Sequence, residues 1–152
     1  MDCYLVRHGE AVPETIDPRR PLTSLGREEV ARVGDLIVGE RAQVAVIYHS
    51  GILRAQQTAE ILGEKLIPSG GILTMSGLQP MDDPDGALAE LELISKPVML
   101  VGHLPFMGRL AGLMISGDPD RANVDFAPAT AVCCSRAARH WEIKWIVHAP
   151  MR

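Results

Sequence analysis

No apolar run in this 152-residue chain approaches the roughly 20 residues that a membrane-spanning helix needs, and Met1-Asp2-Cys3 lacks the basic start of a secretory leader. A cytoplasmic protein without a membrane partner is expected. Positive charge is in deficit as well: 15 Lys and Arg stand against 19 Asp and Glu, for a net charge of −4 and a pI near 5.7. That balance argues against a nucleic-acid partner, which would call for a broad basic stripe, so any basic residues that matter act locally. Cysteine is rare. Cys3, Cys133 and Cys134 are odd in number, two are adjacent, and no His or acid stands around them at zinc-finger spacing. They read as reduced core residues. Internal repeats, low-complexity tracts and linker-like stretches are missing too, and residues 1–152 are expected to fold as one domain.

What the chain does contain is an alternation of two periodicities. Short apolar runs at 2–7, 44–48 and 97–101 have the character of strands buried on both faces, and a helical pattern follows each. From Ser24 to about Gly39, Val30, Val33 and Ile37 share one face, with Thr23 placed to cap the N-terminus. From about Ile52 to Leu66, Ala55, Ala59, Leu62 and Leu66 recur in steps of four, three and four. A third helix is expected from Asp85 to Ile94 through Leu88 and Leu91. A fourth follows Pro105 through Phe106, Leu110 and Leu113. A short strand near Ile72–Met75 precedes the third helix, and two strands around a turn, 129–135 and 140–148, close the chain. In the last of these, Trp141, Ile143, Trp145 and Val147 alternate with Glu142, Lys144 and Ile146. The stretch 8–22, with Pro13, Pro18 and Pro21, reads as a long ordered loop. The sum is an α/β fold: a three-layer α/β/α sandwich around a mostly parallel sheet.

In such sheets a ligand sits beyond the carboxyl ends of the strands. Three of those ends carry unusual polar groups here: Arg7-His8-Gly9, His49-Ser50-Gly51-Ile52-Leu53-Arg54, and Gly102-His103-Leu104-Pro105. Imidazole is a nucleophile near neutral pH, and guanidinium grips phosphate oxygens through paired charge-assisted bonds. Each residue alone has an ordinary explanation: His8 as a packing residue, Arg54 as a solvated helix position, His103 as part of a helix start. Together they suggest phosphoryl transfer. The glycines beside both histidines would let a phosphate approach the backbone, and the helix near Ile52 would offer unpaired N–H groups to an anion.

Four motifs occur in order: Leu5-Val6-Arg7-His8-Gly9-Glu10-Ala11; Arg20-Pro21-Leu22-Thr23 with Gly26; Ser50 to Arg54 followed by Ala55-Gln56-Gln57-Thr58-Ala59; and Val101-Gly102-His103-Leu104-Pro105. In this the chain resembles the histidine phosphatase superfamily, and in its short length and Arg-Pro-Leu-Thr segment the SixA-type phosphohistidine phosphatases. The resemblance implies a compact phosphoglycerate mutase-like fold without a large lid, and a mechanism that uses no cofactor and no metal. It makes His8 the nucleophile and Arg7, Arg54 and His103 its phosphate-binding partners, with His103 protonated if the bound phosphate is a dianion. Arg20 is a further phosphate ligand or a solvated residue. Asp82 and Asp83 are candidates for a general acid, or carboxylates at a helix N-terminus. Glu10 belongs to loop support. The expected substrate is a phosphorylated protein such as a phosphotransfer domain, in a signalling or sugar-transport pathway. A small phosphorylated metabolite is the alternative, and a silent phosphoprotein-binding module is a third reading.

Overall fold

A computed structural model describes residues 1–150 of the chain. Six strands form one sheet in the order β3-β2-β4-β1-β5-β6, with β1 at Asp2–Arg7, β2 at Val46–His49, β3 at Ile72–Thr74, β4 at Val98–Gly102, β5 at Ala131–Ala137 and β6 at His140–Val147. The pairs β1·β4, β2·β4 and β2·β3 are parallel, whereas β5 runs antiparallel to both of its neighbours. Helices α1 (Ser24–Gly39), α2 (Leu53–Leu66), α3 (Pro84–Leu93) and α4 (Phe106–Ser116) fill the connections. No helix among the described residues is long and apolar enough to cross a membrane.

Alternation along the central strands divides the core into two layers. Tyr4 and Val6 of β1 and Met99 and Val101 of β4 face α1 and α2, where they meet Val30, Val33, Ile37, Ala55, Ala59 and Leu62. Cys3, Leu5, Val98 and Leu100 face the other way, against Leu91 of α3 and Phe106, Leu110 and Met114 of α4. This is the expected sandwich, and the continuous apolar runs are what two-sided burial requires. All three cysteines are free and buried.

The boundaries depart from expectation by one or two residues at most ends, β2 beginning at Val46 and β5 at Ala131. One departure has a physical cause. In β6 the pairing runs Cys133 with Trp145 and then Cys134 with Ile143, so Lys144 is an extra residue in the ladder, a β-bulge. The bulge turns the strand over. Trp141 and Ile143 pack on the α3/α4 layer, whereas Trp145 and Val147 pack on the α1/α2 layer, Trp145 lying 5.8 Å from the ring of Tyr4. A pattern of strict alternation had suggested one face.

Candidate active site

Because β1, β4 and β2 are adjacent and parallel, their carboxyl ends deliver Arg7 and His8, Gly102 and His103, and His49 and Ser50 to one edge of the sheet. The backbone of His8 is held on both sides, its N–H donating to the Gly102 carbonyl at 3.0 Å and its carbonyl accepting from Ala129 N–H at 3.2 Å. The rings of His8 and His103 lie with centroids 5.1 Å apart, both residues buried.

The orientation of His8 is fixed chemically. Its Nδ1 lies 2.7 Å from the carbonyl oxygen of Gly9, and a carbonyl can only accept, so Nδ1 carries the proton. Nε2 is then left with its lone pair. Burial pushes the His8 pKa down to about 4, against the raising effect of the Gly9 carbonyl and with the help of Arg54, Arg7 and Arg20. His103 is pushed down to about 3, by burial and then by His8, Arg54, Arg20 and Arg7. Both imidazoles are neutral near pH 7 in the free protein. For His103 this means that a cationic form would have to be induced by the charge of a bound anion.

Three buried nitrogens at this edge have no hydrogen-bond partner among the described residues: Nε of Arg7, Nε of Arg54 and Nδ1 of His103. Buried polar nitrogens left unpaired in this way cost free energy unless a ligand pairs with them, and guanidinium and imidazole groups suit the oxygens of a phosphoryl group. Arg7 is braced by a 2.9 Å bond from Nη1 to the carbonyl of Phe126. Arg54 lies in the first turn of α2, whose N-cap residue, Ile52, makes no side-chain hydrogen bond to the first-turn N–H groups.

The long loop is ordered, as expected. Val12 N–H donates to Pro21 O and Thr23 N–H to Glu10 O, and the Thr23 hydroxyl, which caps α1 through Gly26 N–H, also donates to the Glu10 carboxylate at 2.8 Å. Glu10 thus supports the loop. Arg20 adopts a left-handed backbone (φ 49°) and donates from Nε to Val12 O at 3.1 Å. Its charge adds, after burial, to the lowering of the pKa of Arg7, His8, Arg54 and His103 alike, so its positive field reaches all four.

Asp82 and Asp83 are engaged locally. Asp82 Oδ2 accepts from Gln79 N–H at 2.8 Å, and Asp83 caps α3 by accepting from Asp85 N–H at 2.9 Å. The glycines also serve packing. A Cβ on Gly9 would stand 2.6 Å from Val30 Cγ2, and one on Gly102 would stand 2.8 Å from Met107 Sδ, so the smallness of both lets α1 and α4 pack close to the sheet edge.

Sequence reasoning missed several supports. Thr58, fully buried on α2, accepts from Gly9 N–H at 3.1 Å and donates to Arg54 O at 2.8 Å, tying the two motifs together. One turn away from Arg54, Gln57 accepts from Leu22 N–H at 2.8 Å and anchors the end of the loop. The segment 126–130 supplies the Phe126 carbonyl to the Arg7 side chain, the Thr130 carbonyl to Arg7 N–H and the Ala129 N–H to His8. Thr58 stood inside a quoted motif, at i+4 from Arg54, and that spacing was the available signal. The 126–130 contacts run through backbone groups and leave no trace in residue type.

A sheet edge carrying two neutral histidines among half-buried arginines has the make-up of a phosphate-binding site, and residues 3–81 match the model of the histidine phosphatase superfamily (branch 1). The chain belongs to that superfamily. It is 28% identical over 123 residues to the phosphohistidine phosphatase SixA of Escherichia coli (strain K12), an alignment covering 78% of this chain and 76% of that protein. It is 33% identical over 130 residues to an uncharacterised protein of Picosynechococcus sp., covering 77% and 74% respectively. Among solved structures, the protein histidine phosphatase SixA complexed with tungstate superposes with a TM-score of 0.88 at 22% identity, covering 98% of this chain and 97% of that one. The fold is therefore that of the phosphoglycerate mutase-like phosphatases.

Proposed function

We propose that this protein is a metal-independent, cytoplasmic phosphohistidine phosphatase, acting as one domain through a covalent phosphohistidine on His8. The supporting observation is the pairing of a neutral His8 whose Nε2 lone pair is uncommitted with three unpartnered nitrogens near it, on Arg7, Arg54 and His103. In the first half-reaction Nε2 forms an N–P bond as the P–N bond of the substrate breaks, and the departing imidazole leaves neutral because it was protonated beforehand by solvent. In the second, water attacks phosphorus, the His8 N–P bond breaks, and inorganic phosphate departs. Arg7 and Arg54 hold equatorial oxygens, where their charge gains value as the transition state develops, and Arg20 adds to the positive field.

Phosphohistidine is favoured over a phosphomonoester because a protonated imidazole is a good leaving group and needs no enzymic acid. Asp82 and Asp83, spent on their own turn and helix start, are poor candidates for that acid. The phosphorylated protein is the substrate class carried by the SixA relatives' names.

The test is a side-by-side rate measurement, in chelator, on a phosphohistidine-bearing phosphotransfer domain and a panel of sugar, nucleotide and amino-acid phosphates. A preference of at least about 100-fold in kcat/KM for the phosphohistidine protein is expected, equivalent to about 2.7 kcal/mol of transition-state binding. His8→Ala should lose at least about 10⁴-fold in kcat while still melting cooperatively. Comparable rates on a metabolite would make the protein a phosphomonoesterase. Asp82→Asn and Asp83→Asn should each change kcat less than about twofold, since amide oxygens accept the same local bonds; a large loss confined to phosphomonoesters would restore the acid role.

A further inference from the structure

Ser50 stands next to His103 in a way that the phosphate-cage residues alone do not explain. Its hydroxyl oxygen lies 2.7 Å from His103 Nε2 and also accepts from Ile52 N–H at 3.3 Å. Both Ser50 and His103 are buried. A hydroxyl has one proton to give and two lone pairs to fill. If Nε2–H donated to Ser50, both lone pairs would be taken and the serine proton would need another acceptor. None is present among the described residues. If Ser50 donates to Nε2, every group in the chain Ile52 N–H, Ser50 O–H, His103 Nε2 is satisfied. The ring proton of neutral His103 then sits on Nδ1, the nitrogen that has no protein partner.

We propose that Ser50 is a positioning residue that sets the tautomer of His103, so that its Nδ1 presents a hydrogen to a phosphoryl oxygen instead of a lone pair. With the opposite tautomer the buried Nδ1 would carry a lone pair, and a phosphate oxygen facing it would be repelled. The device mirrors the one at His8, where the Gly9 carbonyl puts the proton on Nδ1 and keeps Nε2 bare. Two histidines 5.1 Å apart thus hold the same Nδ1–H tautomer but turn different nitrogens to the site, a bare Nε2 at His8 and an Nδ1–H donor at His103, set by a neighbouring acceptor in one case and a neighbouring donor in the other. His103 acts on the substrate as a neutral donor, so no protonation need precede binding. Ser50 works through it, and Ile52 N–H, by occupying a lone pair of Ser50, turns the hydroxyl toward the ring. The inference rests on the phosphatase reading only for the identity of the group that accepts from Nδ1.

The tautomer can be read directly from two-bond ¹H–¹⁵N correlation spectra of the ¹⁵N-histidine-labelled protein near neutral pH, with the His103→Gln variant used for assignment. A pyrrole-type Nδ1 and a pyridine-type Nε2 are expected for His103 in the wild type. Ser50→Ala should move the ring toward the Nε2–H form and weaken binding of inorganic phosphate by about tenfold, with Ser50→Thr restoring both. A His103 that already carries its proton on Nε2 in the wild type overturns the proposal without any variant having to fold. So does a Ser50→Ala protein whose His103 nitrogen shifts are unchanged. Failure of the wild type to bind inorganic phosphate, with the tautomer as expected, would count against the phosphatase reading and leave the role of Ser50 standing.

Discussion

His8 feels the charge of three guanidinium groups, and its depressed basicity links the proposed nucleophile to stability. With the folded pKa at about 4 and an ordinary value of about 6.5, the unfolded chain takes up a proton between those limits that the folded chain refuses. Stability therefore rises with pH through the window from about 4 to 6.5, and this source of acid sensitivity ends above it. His103, at about 3, adds in the same direction. Urea unfolding at several pH values across that window, in a buffer free of phosphate and sulfate, should show a loss on acidification that His8→Asn makes shallower. An identical slope in the variant would show that His8 titrates normally. At this scale the sequence was most informative about residues whose chemistry is unusual for their place, such as Arg7, His8, Arg54 and His103, because a charged or ionisable group at the end of an apolar run stands out. Thr58, Ser50 and Gln57 did not, since small polar side chains at helix starts have many ordinary uses. Only their bonds to Gly9, His103 and Leu22 reveal the task.

The elements that hold the site are coupled through close backbone approaches. Gly26, in the first turn of α1, lies so near the loop that a Cβ there would stand 2.2 Å from the carbonyl oxygen of Glu10. Gly26→Ala should therefore push apart helix and loop, costing at least about 2 kcal/mol and lowering Tm by roughly 4–8 °C. It should also reduce kcat/KM, because Arg20 hangs from the same loop; a protein of unchanged Tm would mean that the loop yields freely. Legibility at this scale followed periodicity. Helices α1, α2 and α4 were readable because their apolar stripes are regular, and Thr23 signalled the first cap. The faces of β6 were misread because Lys144 looks like any outward-facing residue of an alternating strand, whereas the bulge at that point depends on its register against β5. The purpose of the glycines was likewise hidden, since sequence shows that a position is small and not what presses on it.

Across the whole molecule, the site draws on parts far apart in the chain. The family match ends at residue 81, yet His103 and the 126–130 brace lie beyond it, and β1 is completed on one side only by β5. A chain ending at Asp125 should lose cooperative melting, because β1 would become an open edge with its buried side chains uncovered; a soluble, sharply melting product would show that the brace is dispensable to the fold. The layered architecture was legible because parallel strands and crossover helices leave alternating blocks in sequence, whereas contacts between distant backbone segments leave none. The bond between His8 Nδ1 and the Gly9 carbonyl also has a regiochemical consequence. Gly9 is held in place by Thr58 and hemmed in by Val30, so α1 and α2 together decide which ring nitrogen is blocked. Any phosphoryl group that His8 accepts must be attached at Nε2, the tele position. An antibody selective for tele-phosphohistidine should then recognise a rapidly trapped phosphoenzyme, and one selective for the pros isomer should not.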